Sequence, residues 1–168
     1  MGAATEPVGI GAPGPADRQP LEAMLGRCSE STLFHRFHGG GRVAPAHYLD
    51  RLLAAPAGHR ILLARVGPDV VGVAEAHGDG DGSAELAVLV EDAWQHRGVG
   101  SRLVAALVAG ERRRGVGALR ATVLAEDRWV VDLLARVGPL SGRPTTGVYE
   151  VQVAVADGGG RRRGVTPR

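Results

Sequence analysis

The feature that most constrains the fold is a change of hydrophobic period near the middle of the chain. Residues 59–66, 70–77 and 84–90 are apolar runs of strand length, and turn segments at 67–69 and 78–82 separate them. Short apolar runs bounded by Gly, Pro and Asp are typical of strands joined by tight turns. The sequence therefore predicts consecutive antiparallel strands that form a meander.

The hydrophobic period then becomes that of a helix. Apolar residues at helical spacing predict a long helix over residues 98–114, which Gly115 ends. A strand at 118–124, a helix at 127–137 and an alternating strand at 148–155 follow. The strand at 84–90, the long helix as a crossover and the strand at 118–124 form a βαβ unit. We therefore expect an α/β (α+β) domain on one mixed, mostly antiparallel sheet, with a central βαβ unit and flanking helices.

The first third of the chain is predicted to be mostly helical. A short strand is expected near residues 8–10, and the spacing of apolar residues predicts helices over 16–27, 31–37 and 46–55. Asp17 is the expected cap of the first of these helices.

Length and charge limit the organisation and the partners. The 168 residues fit one domain, expected over residues 8–156 with flexible termini at 1–7 and 157–168. The net charge of +2 includes +3 from that last segment, with its four Arg and one Asp, so nucleic-acid binding is not expected. No apolar run has the roughly 20 residues that span a membrane. With no signal peptide visible, a cytoplasmic protein is expected.

The junction between the third strand and the long helix carries the strongest chemical signal. Gly98 and Gly100 lie where the helix begins, and Arg97 precedes them. Glycine allows close approach of a ligand to the backbone, and a helix N-terminus favours anions through unpaired N–H groups and its dipole. Residues 95–100 are therefore a candidate phosphate-binding loop. A plain strand-to-helix turn, with glycines for packing, is the alternative interpretation.

Two other kinds of phosphate-binding loop are excluded. A Walker loop requires a lysine, and the chain contains none. A dinucleotide-binding fingerprint requires a third glycine and an acidic residue about 20 residues further on. Here only two glycines match, and the strand before them belongs to the meander.

The run Gln95-His96-Arg97-Gly98-Val99-Gly100 resembles the Q/R-x-x-G-x-G/A motif of the GNAT superfamily of N-acetyltransferases, and the order of predicted elements is similar to that family. The resemblance implies that acetyl-CoA is the acyl donor, with its pyrophosphate on this loop and its pantetheine arm along the preceding strand. The cofactor-binding residues that it implies are Val88, Leu89, Val90, Gln95, His96, Arg97, Gly98, Val99, Gly100, Ser101 and Asp127.

Two segments resemble a narrower group, the lysine acetyltransferases of the Pat type. They are Ser29–Phe37 (SESTLFHRF) and Ala84–Gly98 (AELAVLVEDAWQHRG). The expected acceptor is an amine, either a protein lysine or a small molecule, and we favour a protein. A non-catalytic acyl-CoA-binding or sensing domain is the alternative function.

Acyl transfer to an amine needs a base, because a lysine amine has a pKa of about 10.4 and is protonated at neutral pH. Glu85 is the candidate, since it lies on the strand that leads into the loop and the Pat-type pattern carries a glutamate there. A solvent-facing carboxylate without a catalytic role is the alternative interpretation. Glu75 and His77, on the neighbouring strand, are the other candidate bases.

The chain departs from the family pattern around its last helix. Leu134 stands where many members have a tyrosine general acid, which leaves Tyr149 as a candidate. A thiolate is a weakly basic leaving group, with a thiol pKa of about 8.5, so an acid is dispensable. Asp127 replaces an asparagine that often contacts the cofactor, and Gly138-Pro139 replaces a common Gly-Phe pair.

The remaining reactive side chains predict no further site. Cys28 is the one cysteine; it has no visible basic partner and is expected to be a small buried residue. The six histidines lack metal-ligand spacing, although His35 and His38 are three residues apart, so no metal is expected. Trp94 is expected to be a packing anchor beside the loop.

Overall fold

A computed structural model describes residues 7–37, 45–125 and 128–155. Within these residues, seven strands form one sheet, and five helices flank it. The strands are β1 (Gly9–Gly11), β2 (His59–Val66), β3 (Asp69–Gly78), β4 (Ser83–Val90), β5 (Ala118–Leu124), β6 (Leu140–Thr145) and β7 (Val148–Ala154). The helices are α1 (Arg18–Arg27), α2 (Glu30–Phe37), α3 (Pro45–Ala54), α4 (Val99–Arg113) and α5 (Arg128–Ala135).

The strands lie in the order β1-β2-β3-β4-β5-β7-β6. Neighbouring strands are antiparallel except for β4 and β5, which are parallel because α4 crosses over between them. The predicted meander, the βαβ unit and the mixed, mostly antiparallel sheet with flanking helices are confirmed. The predicted elements are found with bounds shifted by no more than a few residues.

A separate hydrophobic core lies on each face of the sheet. On one face α4 and α5 pack against the strands, and Leu107 and Leu134 are buried there. On the other face α1, α2 and α3 cover β2, β3 and β4, and Leu21 and Leu49 are buried. Burial of one such leucine side chain contributes about 1.5–3 kcal/mol. This second core ends at β4, so no described helix packs on the same face of β5, β7 and β6.

The sequence analysis did not predict β6. This strand pairs with β7 at the edge of the sheet, and its side chains are mostly exposed. It contains Gly142 and Pro144 and lacks an alternating apolar pattern. Proline is tolerated there because an edge strand has one side without ladder partners.

Asp17 is the N-cap residue of α1, as predicted, but its side chain does not cap the helix. Residues 15–17 form a 3-10 turn, and Asp17 makes no side-chain capping bond to α1. Its carboxylate instead accepts a hydrogen bond of 2.6 Å from the Gly14 N–H and pairs with Arg65 at 2.6 Å. The hydrogen bond from Arg65 lowers the pKa of Asp17. Asp17 thus ties the turn before α1 to β2.

Candidate active site

β4 and β5 are paired only at their amino ends. The parallel register joins residues 83–85 to residues 118–120 and ends there. Beyond that point one edge of β4 still pairs with β3, while the other edge faces a cleft of about 300 Å³ between β4 and β5. Backbone N–H and C=O groups on this edge are therefore available to an extended ligand.

This interstrand cleft has walls from four elements. They are Glu85, Leu86, Ala87 and Val88 of β4; Ala121, Thr122 and Val123 of β5; His35, Arg36 and Phe37 of α2; and Val130 of α5. Most of the β4 and β5 side chains are apolar, with polar groups at the ends, which is typical of sites for organic ligands.

The amino end of α4 forms an anion-binding nest beside the cleft. Gly98 has a left-handed backbone with φ of 79°, and His96 also has a positive φ, of 56°. Such a backbone turns successive N–H groups towards one side. The first helical hydrogen bond runs from the Arg102 N–H to the Gly98 carbonyl at 3.1 Å. The N–H groups of residues 99–101 therefore have no partner among the described residues.

A cavity of about 770 Å³, here called the cradle cavity, opens over this nest. Its walls are Val90, Asp92, Gln95, His96, Gly98, Gly100 and Ser101 from the loop and α4; Ser29, Ser31, Thr32 and His35 from α2 and the residues before it; and Trp129, Asp132, Leu133 and Arg136 from α5 and its end. His35 lines both this cavity and the interstrand cleft, so the two spaces adjoin.

The predicted cofactor-binding residues have different surroundings in the structure. Those that line the cradle cavity are Val90, Gln95, His96, Gly98, Gly100 and Ser101, while Val88 lines the interstrand cleft. Leu89 and Val99 are buried in the two cores, so only their backbone can contact a ligand. The Arg97 guanidinium lies 5.2 Å from the Trp94 ring centre and is not part of the cavity wall. Asp127, like His38, lies outside the described residues.

Polar contacts from α2 hold the loop in place. Gln95 Nε2 donates to Thr32 Oγ1 and to the Val90 carbonyl, both at 3.0 Å. Asp92 accepts hydrogen bonds from the N–H and hydroxyl of Ser29, at 2.8 and 2.7 Å, and from the Thr32 hydroxyl at 2.9 Å. Burial opposes ionisation, but these bonds lower the pKa of Asp92. Gln95 is thus a tie between α2, β4 and the loop, besides being part of the cavity wall.

Glu85 stands where the interstrand cleft opens onto a groove of about 680 Å³ over β5, β7 and β6, here called the polar groove. Its side chain is exposed, and it makes no hydrogen bond or ion pair with any residue that the structure describes. A carboxylate in this position is accessible from both spaces. That is the requirement for a base acting on a group that enters from the groove.

The polar groove is lined by charged and polar side chains. They include Asp79, Arg120, Thr122, Ser141, Arg143, Glu150 and Gln152 in addition to Glu85. Arg120 pairs with Asp79 at 2.7 Å and with Asp81 at 3.3 Å, so its charge is balanced within the groove wall. Arg143 pairs with Glu150 at 3.9 Å, so Glu85 is the lining carboxylate that has no ion pair among the described residues. This one uncompensated negative charge suits a cationic ligand.

Glu75, the second candidate base, is buried in a polar cluster and is 4% exposed. The Tyr48 hydroxyl donates to Glu75 Oε1 at 2.6 Å, Arg36 donates to the same oxygen, and His59 Nε2 lies 3.2 Å from Oε2. Burial opposes ionisation, but the charge of Arg36 and the Tyr48 hydrogen bond lower the pKa of Glu75. A buried carboxylate with both oxygens bound is inaccessible to a substrate amine. His77 is exposed and directly opposite Glu85 in the β3–β4 register, so it stays an alternative base.

The two acid positions considered from the sequence do not face this site. Leu134 is buried in the core under α5. Tyr149 packs against the same core and pairs with Val123, so it lies on the face of the sheet opposite Glu85. Trp94 also packs against this core, as predicted. Cys28 is half-buried, and burial raises its pKa to about 11, which disfavours the thiolate that a covalent mechanism requires.

The acetyltransferase (GNAT) family model matches residues 29–138, which is more than half of the chain. The chain belongs to the GNAT acetyltransferase family. The matched region runs from the residues before α2, through the nest and both walls of the interstrand cleft, to the end of α5. The predicted resemblance is therefore confirmed over the elements that build the site.

Solved structures of GNAT proteins share the fold. The GNAT domain of S. lividans PAT has a TM-score of 0.78 and 22% sequence identity, with 86% of this chain and 89% of that chain covered. The protein yncA from Salmonella typhimurium, solved with its cofactor acetyl-CoA, has a TM-score of 0.73 and 20% identity over 90% of this chain and 96% of that chain. The paiA N-acetyltransferase from Thermoplasma acidophilum, in complex with coenzyme A, has a TM-score of 0.70 and 12% identity over 88% and 99%. The first of these is consistent with the resemblance to the Pat type.

Sequence analysis missed the walls that α2 and α5 contribute to this GNAT site. Ser29 and Thr32 were matched to a family pattern, but their role in holding the loop was not predicted. Trp129, Asp132 and Arg136 also line the cradle cavity. Their spacing of three and four residues was a signal, since it places them on one face of a helix that follows the βαβ unit.

No group of three or more His, Cys, Asp or Glu side chains among the described residues is arranged to hold a metal ion. No helix within the described ranges is both long and apolar enough to cross a membrane.

Proposed function

We propose that this GNAT protein transfers the acetyl group of acetyl-CoA to an amine by direct attack, with Glu85 as the general base. One observation carries the proposal: an exposed carboxylate, with no partner in the part of the chain that the structure describes, lies where the interstrand cleft meets the polar groove. The donor would reach this point through the cleft, and the acceptor would reach it from the groove.

The cradle cavity supports the choice of donor. Its nest offers the N–H groups of residues 99–101 and the Ser101 hydroxyl to a pyrophosphate. The free edge of β4, over residues 86–90, offers backbone groups to the amides of a pantetheine arm. A backbone N–H on this edge also polarises the thioester carbonyl, in the manner of an oxyanion hole. The acetyl-CoA and coenzyme A named for two structures of similar fold are of this ligand class.

The chemistry that we propose needs one base. The amine nitrogen attacks the thioester carbon, a C–N bond forms, and the C–S bond breaks. Glu85 accepts one proton from the ammonium before this attack, directly or through a water molecule, and releases it to solvent afterwards. The nitrogen loses its second proton as the amide forms, and the departing thiolate or solvent takes that proton. The thiolate leaves without a protein acid, because the pKa of its thiol is only about 8.5.

The polar groove supports a cationic acceptor, which would be a protein lysine or a small-molecule amine. No described helix covers the groove, and Asp79, Glu85 and Glu150 lie along it. An open groove admits a side chain presented by a folded or extended protein as readily as a free amine. We therefore include both classes, and favour a protein.

The direct test is release of free thiol from acetyl-CoA in the presence of an amine panel and a protein extract. Turnover with at least one acceptor is expected. The protein contains no lysine, so an acetyl-lysine detected in the mixture cannot arise from self-acetylation. A protein that binds CoA but releases no thiol with any amine is instead a CoA-binding domain. Absence of CoA binding would contradict the choice of donor.

A substitution separates the base from the binding site. Glu85→Gln is expected to keep the affinity for CoA and to lose turnover at neutral pH by about 100-fold or more. Glu22→Gln is the matched control, because Glu22 is an exposed carboxylate on α1, remote from both cavities. Equal turnover in the two variants would exclude Glu85 as the base.

A further inference from the structure

α5 and its end present one helical stripe to the cradle cavity, formed by Trp129, Asp132, Leu133 and Arg136. Spacings of three, four and seven residues place side chains on one face of a helix. Leu133 is also buried in the core. Its packing there holds α5 in the orientation that turns this face towards the cavity. The stripe therefore forms a wall opposite the residues that hold the loop.

Trp129 is 50% exposed, although it is a large apolar side chain. Two of its ring carbons lie 3.7 and 3.9 Å from the position that a Cβ would occupy on Gly100. Gly100 is part of the nest that we assign to the pyrophosphate. The indole thus adjoins the nest, and half of its surface is left for a ligand. A rigid aromatic face of this kind is suited to stacking against another flat ring.

We propose that Trp129 stacks on the adenine ring of the donor, and that this contact selects CoA thioesters over donors that end at phosphopantetheine. The inference rests on the proposed function. A phosphopantetheine thioester can occupy the interstrand cleft and place a phosphate in the nest. It has no aromatic ring to cover Trp129, whereas in CoA the ribose and adenine continue from the phosphates that the nest binds.

The same wall also carries charges. Arg136 makes no ion pair with a described residue, and Asp132 lies between it and Trp129 on the stripe. CoA has two phosphates that 4′-phosphopantetheine lacks, so charge adds to its affinity, and that part of the preference weakens with salt. The stacking part is the part that a substitution of Trp129 removes.

The test is calorimetric titration of the intact protein with CoA and, separately, with 4′-phosphopantetheine. Wild type is expected to bind CoA about tenfold more tightly than 4′-phosphopantetheine, as one base–aromatic stack allows. Trp129→Leu is expected to lose about tenfold in CoA affinity and to keep the affinity for 4′-phosphopantetheine. Trp129→Phe retains an aromatic face and should keep most of the preference.

Phe34→Leu is the matched control, because Phe34 is also an exposed aromatic side chain but does not line the cradle cavity. It should bind both ligands as wild type does. An equal loss of both affinities in Trp129→Leu, or no loss in either, would overturn the stacking proposal while leaving the donor class intact. If wild type binds neither ligand, the proposed function fails as well. Failure of the stacking proposal alone is therefore distinguishable from failure of the proposed function.

Discussion

Glu75 and Glu85 lie on the same face of adjacent strands, yet their surroundings are opposite. His77 pairs with Glu85 across β3 and β4, and Glu75 lies two residues before His77, so all three side chains point to one face. Glu75 is under the part of this face that α1 and α3 cover, where hydrogen-bond partners occupy both of its oxygens. Glu85 is at the border of the part that no described helix covers, and it has no partner among the described residues.

The difference shows how one sheet face can bury one carboxylate and leave another accessible. Where helices cover the face, an ionised carboxylate persists only because Arg36, Tyr48 and His59 replace its water. Where the face is open, water solvates the carboxylate and a substrate can displace that water. The two halves also differ in what they offer a ligand: backbone groups on the side that we propose for the donor, around Gly98, and charged side chains on the side that we propose for the acceptor, around Glu150.

The difference between the two surroundings is tested most strongly by making the same substitution at both positions and measuring unfolding in urea. Glu75→Gln leaves the buried Arg36 charge uncompensated and is expected to lower the free energy of unfolding by about 3–5 kcal/mol. Glu85→Gln removes an exposed, unpaired charge and is expected to change it by no more than about 0.5 kcal/mol. Losses of similar size in the two variants would mean that their surroundings do not differ as described.

A second substitution tests the backbone side of the comparison. Gly98→Ala places a Cβ on a left-handed residue with φ of 79° and is expected to cost about 1–2 kcal/mol in unfolding free energy. It should also weaken CoA binding, because the nest changes shape. Gly58→Ala is the matched control, since Gly58 has φ of 82° in a turn away from both cavities. An equal CoA affinity in the two variants would show that the nest does not bind the donor.

The smallest expected effect is a pH dependence of stability. The pKa of Glu75 is lowered from 4.5, so its contribution to stability is present above pH 4.5 and is lost as the pH falls through the folded-state value. Burial lowers the pKa of His59 from 6.5. Stability again falls with pH, because the unfolded chain binds the His59 proton at a higher pH than the folded chain does. Urea midpoints of wild type should therefore fall on acidification below pH 6.5. Glu75→Gln should show a smaller fall below pH 4.5, where Asp17 and Asp92, whose pKa values are also lowered, still contribute. An unchanged pH profile would contradict the assignment of charge to Glu75.

The fold was predictable from the sequence where the pattern of apolar residues and the turn residues indicate the same boundaries. Strands β2 and β5 have the predicted bounds because apolar runs and flanking glycines both mark their ends. β6 was missed because Gly142 and Pro144 interrupt an exposed edge strand, which needs no apolar alternation. The position of Asp17 at the start of α1 was predicted, but its side-chain partner Arg65 was not, because Arg65 is 48 residues away in the sequence and local rules do not include such contacts.

The site, too, was predictable only where its residues lie within one short segment. The phosphate-binding loop is a local signal, because two glycines at the start of a helix act within one segment. Three other features depend on residues far apart in the sequence. They are the hydrogen bonds that both oxygens of Glu75 accept, the cavity wall that α5 forms and the exposure of Trp129. Family resemblance indicated Glu85, and only the three-dimensional arrangement distinguishes it from Glu75 by the partners of each carboxylate.

The most direct test of the central claim is the pH dependence of acetyl transfer by Glu85→Gln and wild type, measured with one primary amine at saturating acetyl-CoA. A base is needed only while the amine is protonated. The rate of the variant at pH 7 is therefore expected to be lower by about 10²–10⁴-fold. The gap should narrow as the pH approaches the amine pKa of about 10.4. A variant that matches wild type at pH 7, or whose deficit is the same at every pH, would contradict the role of Glu85 as the base.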